Sequence, residues 1–164
     1  MDIVYIETSI VSHATAWPSS DPATAVLQDQ ARRWMDEQAI NYELVTSQIV
    51  LAEARRGDPD AASRRLAMLA NIPILDENPD TERVADELVS RSLIPSAARL
   101  DALHVATAAL AGVQYLLTLN CRHIANAHVL PGVYQLLDEL ELRGMLVATP
   151  IEFLGGTSNA QSNP

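Results

Sequence analysis

Four oxygen-bearing side chains stand at places where an α/β chain would bring them together: Glu7, Glu53, Asp101 and Asn120. Glu7 follows the β-rich run DIVYI at residues 2–6, and Glu53 lies in the helical pattern after a second such run. Asp101 opens the apolar helix pattern of the stretch RLDALHVATAALAGVQYLLTLNCRHIANA, residues 99–127. Asn120 stands just past the short apolar run from Val113 to Leu119 within it. Ligand sites of open α/β sheets lie beyond the carboxyl ends of the strands. Carboxylates gathered there repel one another and raise each other's pKa unless a cation is present. Hard oxygen ligands with open positions suit Mg²⁺ or Mn²⁺. Such an ion lowers the pKa of a bound water and stabilises charge on a phosphodiester. The expected chemistry is metal-assisted phosphodiester hydrolysis, provided that the fold assembles the four.

Each residue also has a plainer reading. Asp101 suits a helix N-terminus, where the dipole favours an acid. Glu53 reads equally as a solvated helix residue near Arg56, and Asn120 as a turn residue. Thr8 and Ser9 either cap the next helix or orient Glu7. His13, His104, His123 and His128 share no zinc-type spacing with Cys121. His104, three positions after Asp101, either faces the site, bonds Asp101 or is a satisfied helix histidine. Arg122 and His123 are candidate phosphate contacts, as are Arg55 and Arg56, with surface solubility as the alternative for all four. Trp17 and Trp34 read as core or interface.

The elements that must position these residues follow from pattern and punctuation. Residues 2–6 read as strand one, and residues 10–16 as a helix ending near Trp17-Pro18. Asp21-Pro22 pairs an N-cap with a proline at the first helical position and predicts a helix to about Gln38. Residues 42–46 (YELVT) read as strand two, with Ser47 capping a helix that carries Glu53 and ends by Gly57. Asp58-Pro59 repeats the cap and predicts a helix to about Ala70; residues 73–75 form a weak third strand, and Asn78-Pro79 opens another helix. The central unit supplies a helix closed by Gly112 and a fourth strand. Leu130-Pro131 starts a helix that Gly144 ends, residues 145–148 form a fifth strand, and Thr149-Pro150 caps a last short helix. Strands alternating with helices predict a parallel sheet covered on both faces. One domain is expected over residues 1–156, and the small polar tail, residues 157–164, is expected to be disordered.

Composition narrows the function. The chain has 164 residues, 48% hydrophobic and 20% charged, enough for one domain with a sizeable core. The net charge is −10, and all 11 basic residues are arginine. Without lysine there is no P-loop and no Schiff-base chemistry. The acidity argues against broad nucleic-acid binding by charge alone, so a nucleic-acid enzyme here needs cations and local arginines to hold phosphate. The apolar runs are too short to span a membrane. The amino terminus lacks a signal-peptide pattern, and a single cysteine forms no internal disulfide. The expected location is the cytoplasm.

The segments YIETS at residues 5–9, Glu53, DALHVATAA at residues 101–109 and LLTLNCRHIANA at residues 116–127 together resemble the PIN-domain nucleases. The resemblance reaches to about Gly155 and is strongest to VapC-like toxins of bacterial type II toxin–antitoxin modules. It implies a single Rossmann-like α/β/α sandwich with about five parallel strands, and Mg²⁺- or Mn²⁺-dependent endoribonuclease activity. It also implies a homodimer and a cognate antitoxin protein that blocks the site. By position, Glu7, Glu53 and Asp101 are the implied acidic site residues, with Glu7 and Asp101 on the metal, Asn120 in the fourth position, and Thr8 or Thr118 in support. Two positions depart from the family: its first acid is usually aspartate rather than glutamate, and many relatives carry aspartate where Asn120 stands. A competing expectation is a catalytically weak PIN protein acting as a binding or regulatory module. A phosphate-accepting receiver domain also uses acids at strand ends, but it relies on a lysine that this chain lacks.

Overall fold

The run IVYI forms β1 (Ile3–Ile6), with Val4, Tyr5 and Ile6 all fully buried. Successive strand residues point to opposite faces, so burial of three in a row means that both faces of this strand are covered. The computed structural model describes residues 1–155. In it β1 pairs in parallel with β2 (Glu43–Val45) on one side and β3 (Tyr115–Leu117) on the other. Beyond β3 lies β4 (Leu146–Ala148), also parallel, giving the order β2-β1-β3-β4. The β1 and β3 registers pair Ile6 with Leu117, which brings the exits of the two central strands side by side.

Parallel strands need crossovers, and helices provide them. After β1 come α1 (Thr8–Thr15) and α2 (Pro22–Arg33). After β2 come α3 (Gln48–Ala54), α4 (Pro59–Leu69), α5 (Thr81–Ser90) and α6 (Arg99–Leu110). α7 (Leu130–Glu139) links β3 to β4, and α8 (Pro150–Leu154) closes the domain. α1 packs on α2 and α4, and α5 packs on α6. The result is the expected parallel α/β sandwich, a sheet flanked by helices. Among the described residues no helix is long and apolar enough to cross a membrane.

Several caps are as expected. The side chains of Asp21, Ser47 and Asp58 accept from the backbone N–H of Thr24, Val50 and Ala61. Gly112 (φ +69°) turns the chain from α6 toward β3 in a conformation that costs side-chain-bearing residues strain.

Other boundaries move, each for a local reason. The expected strand at residues 73–75 shrinks to a bridge between Thr46 and Ile74, flanked by hydrogen bonds from Thr46 N to Pro73 O and from Leu75 N to Thr46 O. Pro73 has no N–H to extend the ladder, so the sheet has four strands rather than about five. The expected helix to Gln38 leaves α geometry at Arg33 and passes through a π turn (Trp34–Gln38) and a 3₁₀ turn (Ala39–Asn41). Asn78 does not open α5; its Oδ1 accepts from Asp80 N, and the helix begins three residues later. α7 ends at Glu139, ahead of Gly144. The expected boundary at residue 156 and the tail at 157–164 lie outside the described residues.

The π turn buries Trp34 completely. Its ring stacks on Tyr42 at 5.8 Å and meets Phe153 edge-on at 5.8 Å, while Tyr115 lies 5.2 Å from Phe153. Tyr42 precedes β2 and Tyr115 begins β3, so this aromatic cluster seals the amino end of the sheet. Trp34 Nε1 has no hydrogen-bond partner among the described residues, and the residue acts through packing. Trp34→Ala is expected to destabilise the protein by about 3–5 kcal/mol. Trp34→Phe, which loses no hydrogen bond, is expected to cost much less. Urea unfolding midpoints of the two variants against wild type check this.

Candidate active site

At the carboxyl end of the sheet the central element is Glu7, only 4% exposed. It leaves β1 through a backbone hydrogen bond from Glu7 N to Leu117 O, 3.2 Å, and serves as N-cap of α1. Its Oε2 accepts from Ser9 N (3.0 Å), from Ser9 Oγ and from Thr118 Oγ1 (2.8 Å). Ser9 Oγ in turn accepts from Leu119 N at 2.8 Å. One carboxylate oxygen is thus clamped between the start of α1 and the exit of β3, while Oε1 has no hydrogen-bond partner among the described residues. Donors to the charged form offset its desolvation.

From Glu7 the network runs in two directions. Toward β3, Asn120 N donates to Thr118 Oγ1 (2.9 Å), and Asn120 Oδ1 accepts from His123 N (3.0 Å). Asn120 O also accepts from Ile124 N and Ala125 N. Asn120 therefore closes the turn after β3. That turn brings His123 Nδ1 to Asp101 Oδ2, 2.9 Å, in the first turn of α6. Asp101 keeps Oδ1 without a hydrogen-bond partner, and its side chain is 19% exposed.

Toward β2, Thr8 Oγ1 donates to Glu53 Oε1 at 2.9 Å, and the Nε2 nitrogen of the fully buried His104 bonds the same oxygen. Burial of the Glu53 carboxyl opposes its ionisation. The hydrogen bonds from His104 and Thr8, together with the nearby charge of Arg56, outweigh that and hold Glu53 below the usual carboxylate range. His104 Nδ1 lies 2.8 Å from the Tyr5 hydroxyl, itself 2.7 Å from Ser47 Oγ. Burial above all pushes the Tyr5 phenol up, so it stays protonated.

Hydrogen bonds gather Glu7, Thr118, Asn120, His123 and Asp101 into one arm and Thr8 and Glu53 into a second; the two meet through the chain at residues 5–9 rather than as one tight group, and the Arg122 side chain joins neither. Among the described residues no three His, Cys, Asp or Glu side chains converge closely enough to enclose a metal ion. The two supporting threonines divide: Thr118 holds Glu7, and Thr8 holds Glu53 rather than Glu7. His104 bonds Glu53 and not Asp101. His123, expected at phosphate, has Nδ1 occupied by Asp101 and leaves Nε2 without a hydrogen-bond partner. The sequence reading has Ser47 only as a helix cap, as found, and assigns Tyr5 no place at the site. The available signal was strand alternation, which puts Tyr5 and Glu7 on one face.

The arginines sort by location. Arg33, Arg64, Arg83, Arg91, Arg99 and Arg143 pair with acids on the surface. Arg65 is held by the carbonyls of Ala54 and Arg56. Arg55, Arg56 and Arg122, the three proposed for phosphate, are exposed and form no ion pair or side-chain hydrogen bond among the described residues; the half-buried Arg32 in α2 likewise forms none there.

Comparison with known proteins agrees with this architecture. The family model of the PIN domain matches residues 4–128. One chain of the structure of VapBC2 from Rickettsia felis, solved bound to a DNA fragment from their promoter, superposes with a TM-score of 0.56 at 17% identity, covering 90% of this chain and 98% of that one. A chain of FitAB, solved bound to an IR36 DNA fragment, superposes with a TM-score of 0.54 at 14% identity, covering 90% and 94%. No curated protein matches the chain. At these identities the structural likeness establishes the fold, and the family rests on the domain match, which spans most of the chain and all four predicted site positions: the protein belongs to the PIN-domain family.

Proposed function

We propose that the protein is a metal-dependent endoribonuclease and the toxin of a toxin–antitoxin pair. PIN domains are typically nucleases that use divalent metals, which makes a hydrolase the starting point. The observation that carries the reading is the state of the three carboxylates. Each has one oxygen tied by the protein's own donors and a second oxygen, Glu7 Oε1, Glu53 Oε2 or Asp101 Oδ1, with no hydrogen-bond partner among the described residues. Such half-engaged acids are pre-oriented and still able to take a ligand.

The donor set, free carboxylate oxygens on Glu7 and Asp101, fits a hard cation that keeps much of its water; among the described residues no three ligands enclose an ion. Mg²⁺ commonly keeps several waters and uses only one or two carboxylates. Glu7 and Asp101 would hold it; when bound, it supplies an activated water and charge stabilisation for the phosphodiester. Glu53, kept ionised by His104 and Thr8, adds negative charge and a free oxygen able to accept a proton from water. Arg55, Arg56, Arg122 and His123 Nε2 hold the RNA phosphates, because among the described residues no acid lies within ion-pair distance of these arginines and only Glu53 attracts Arg56 from farther away. Asn120 keeps the turn in place.

A binding or regulatory module with weak catalysis is the second reading. It draws on Asn120, which is neutral and whose oxygen is already engaged by His123 N. RNA cleavage titrated against Mg²⁺ and Mn²⁺ separates the two.

Asp101→Asn is expected to lower metal-dependent RNA cleavage by at least about 100-fold without loss of fold, because the amide oxygen still accepts from His123. Unchanged cleavage by the folded variant would remove Asp101 from the site. Glu7→Asp restores the commoner family residue but falls roughly 1.5 Å short of Ser9 and Thr118, one carbon–carbon bond. A misplacement of about 1 Å can cost on the order of 100-fold in rate, so cleavage is expected to fall, and Glu7→Gln to be worse. Rates against Mn²⁺ concentration decide; a Glu7→Asp rate equal to wild type would show that the reach of glutamate is not used.

The antitoxin is expected to bring an arginine or lysine to the anionic site. Pull-down of the antitoxin by wild type, and its weakening by Glu7→Gln, check this; binding insensitive to substitution of Glu7, Glu53 and Asp101 would place the contact elsewhere.

A further inference from the structure

His104 is a fully buried histidine with both ring nitrogens in hydrogen bonds, and the proposed chemistry uses it only as a group that keeps Glu53 ionised. We infer that His104 is a positioning residue: a one-way hydrogen-bond relay from Ser47 through Tyr5 fixes its tautomer, and its Nε2–H aims the Glu53 carboxylate. The inference rests on the nuclease reading only for what Glu53 does, not for how it is held.

The direction of the relay follows from counting hydrogens. Glu53 as a carboxylate only accepts, so Nε2 carries the hydrogen between them. In a neutral ring Nδ1 is then bare and takes the Tyr5 hydroxyl hydrogen across 2.8 Å. The Tyr5 oxygen accepts from Ser47 Oγ at 2.7 Å, and Ser47 Oγ accepts from Val50 N at 3.3 Å. Every hydrogen in this order has an acceptor. The reverse order strands one. Were Nδ1 to donate to Tyr5, and Tyr5 to Ser47, the Ser47 hydroxyl hydrogen would have no acceptor, in a residue only 3% exposed. A buried unsatisfied donor costs about 1–3 kcal/mol, enough to select the first arrangement.

The route explains what the relay holds. Ser47 is the N-cap of α3, and Glu53 lies near the end of the same helix. Tyr5 belongs to β1 and His104 to α6. The relay therefore starts at the N-cap of α3, passes through the central strand and α6, and returns to α3 at its functional side chain. A glutamate has three side-chain torsions, and a single hydroxyl from Thr8 leaves the carboxylate free to pivot. A second donor on the same oxygen, from a ring locked in the core, removes that freedom and directs the other oxygen outward. Misplacement by about 1 Å is enough to matter for rate.

The test uses the full chain with ¹⁵N-labelled histidine at neutral pH, together with RNA cleavage kinetics. Long-range ¹H–¹⁵N spectra should show His104 as the Nε2–H tautomer. Tyr5→Phe deletes one oxygen and preserves packing; it should alter the His104 Nδ1 resonance and lower kcat roughly tenfold with KM unchanged. His104→Gln, whose amide nitrogen falls near Nε2, should retain more activity than His104→Asn, whose amide nitrogen falls near Nδ1. An Nδ1–H tautomer or a doubly protonated ring in wild type, a Tyr5→Phe variant with wild-type kcat and ring signals, or equal losses in the Gln and Asn variants would each overturn the relay. Wild type without RNA cleavage would instead overturn the nuclease reading, and the tautomer would still decide the relay.

Discussion

A carboxylate at the end of a strand buried on both faces has to be held by donors, and this requirement organises the carboxyl end of the sheet. Glu7 is only 4% exposed, so its carboxylate exchanges most of its contact with water for protein donors. The chain answers with the two residues that parallel pairing brings beside it, Ser9 at the start of α1 and Thr118 at the exit of β3. Ser9 also binds the backbone of Leu119, so the same few atoms set the departure of the chain from both central strands. The turn closed by Asn120, and through it the meeting of His123 with Asp101, depends on that geometry.

The two ends of the sheet are built from different physics. At the amino end, Trp34, Tyr42, Tyr115 and Phe153 seal the layers by contact area alone, to the point that Trp34 Nε1 goes without a partner. At the carboxyl end the side chains between the layers are polar and joined by hydrogen bonds. Polar groups in a low-dielectric setting hold their orientation when satisfied and are costly when not. Rigid packing at one end supports pre-orientation at the other. The charge distribution follows the same division: six arginines are spent on surface acids, while Arg55, Arg56 and Arg122, flanking the turns after α3 and β3, are left to other partners.

Much of the fold was legible because the signals are local. Asp-Pro and Ser-led starts place α2, α3 and α4, since an N-cap oxygen and a proline at the first turn act within four residues. The apolar runs around Val4 and Leu116 read as strands because strands buried on both faces are continuously hydrophobic. The strand expected at residues 73–75 was misjudged: its apolar character was visible, but the number of ladder bonds that it forms depends on a partner strand and on Pro73. The break from α to π geometry at Trp34 was also invisible, because it answers to an aromatic cluster assembled from residues 34, 42, 115 and 153.

The sequence by itself determined which residue types were present, and the order of strands and helices that delivers Glu7, Glu53, Asp101 and Asn120 to one edge. It also determined the absence of lysine, which removes whole classes of mechanism. Only the tertiary structure decided who holds whom. Thr8 serves Glu53 and Thr118 serves Glu7, His123 rather than His104 meets Asp101, and Tyr5 joins β1 to α6. The physical reason is range. Capping and periodicity act over a few residues, whereas these contacts join positions 22 to 111 apart in the chain, and their partners are selected by sheet register and helix packing.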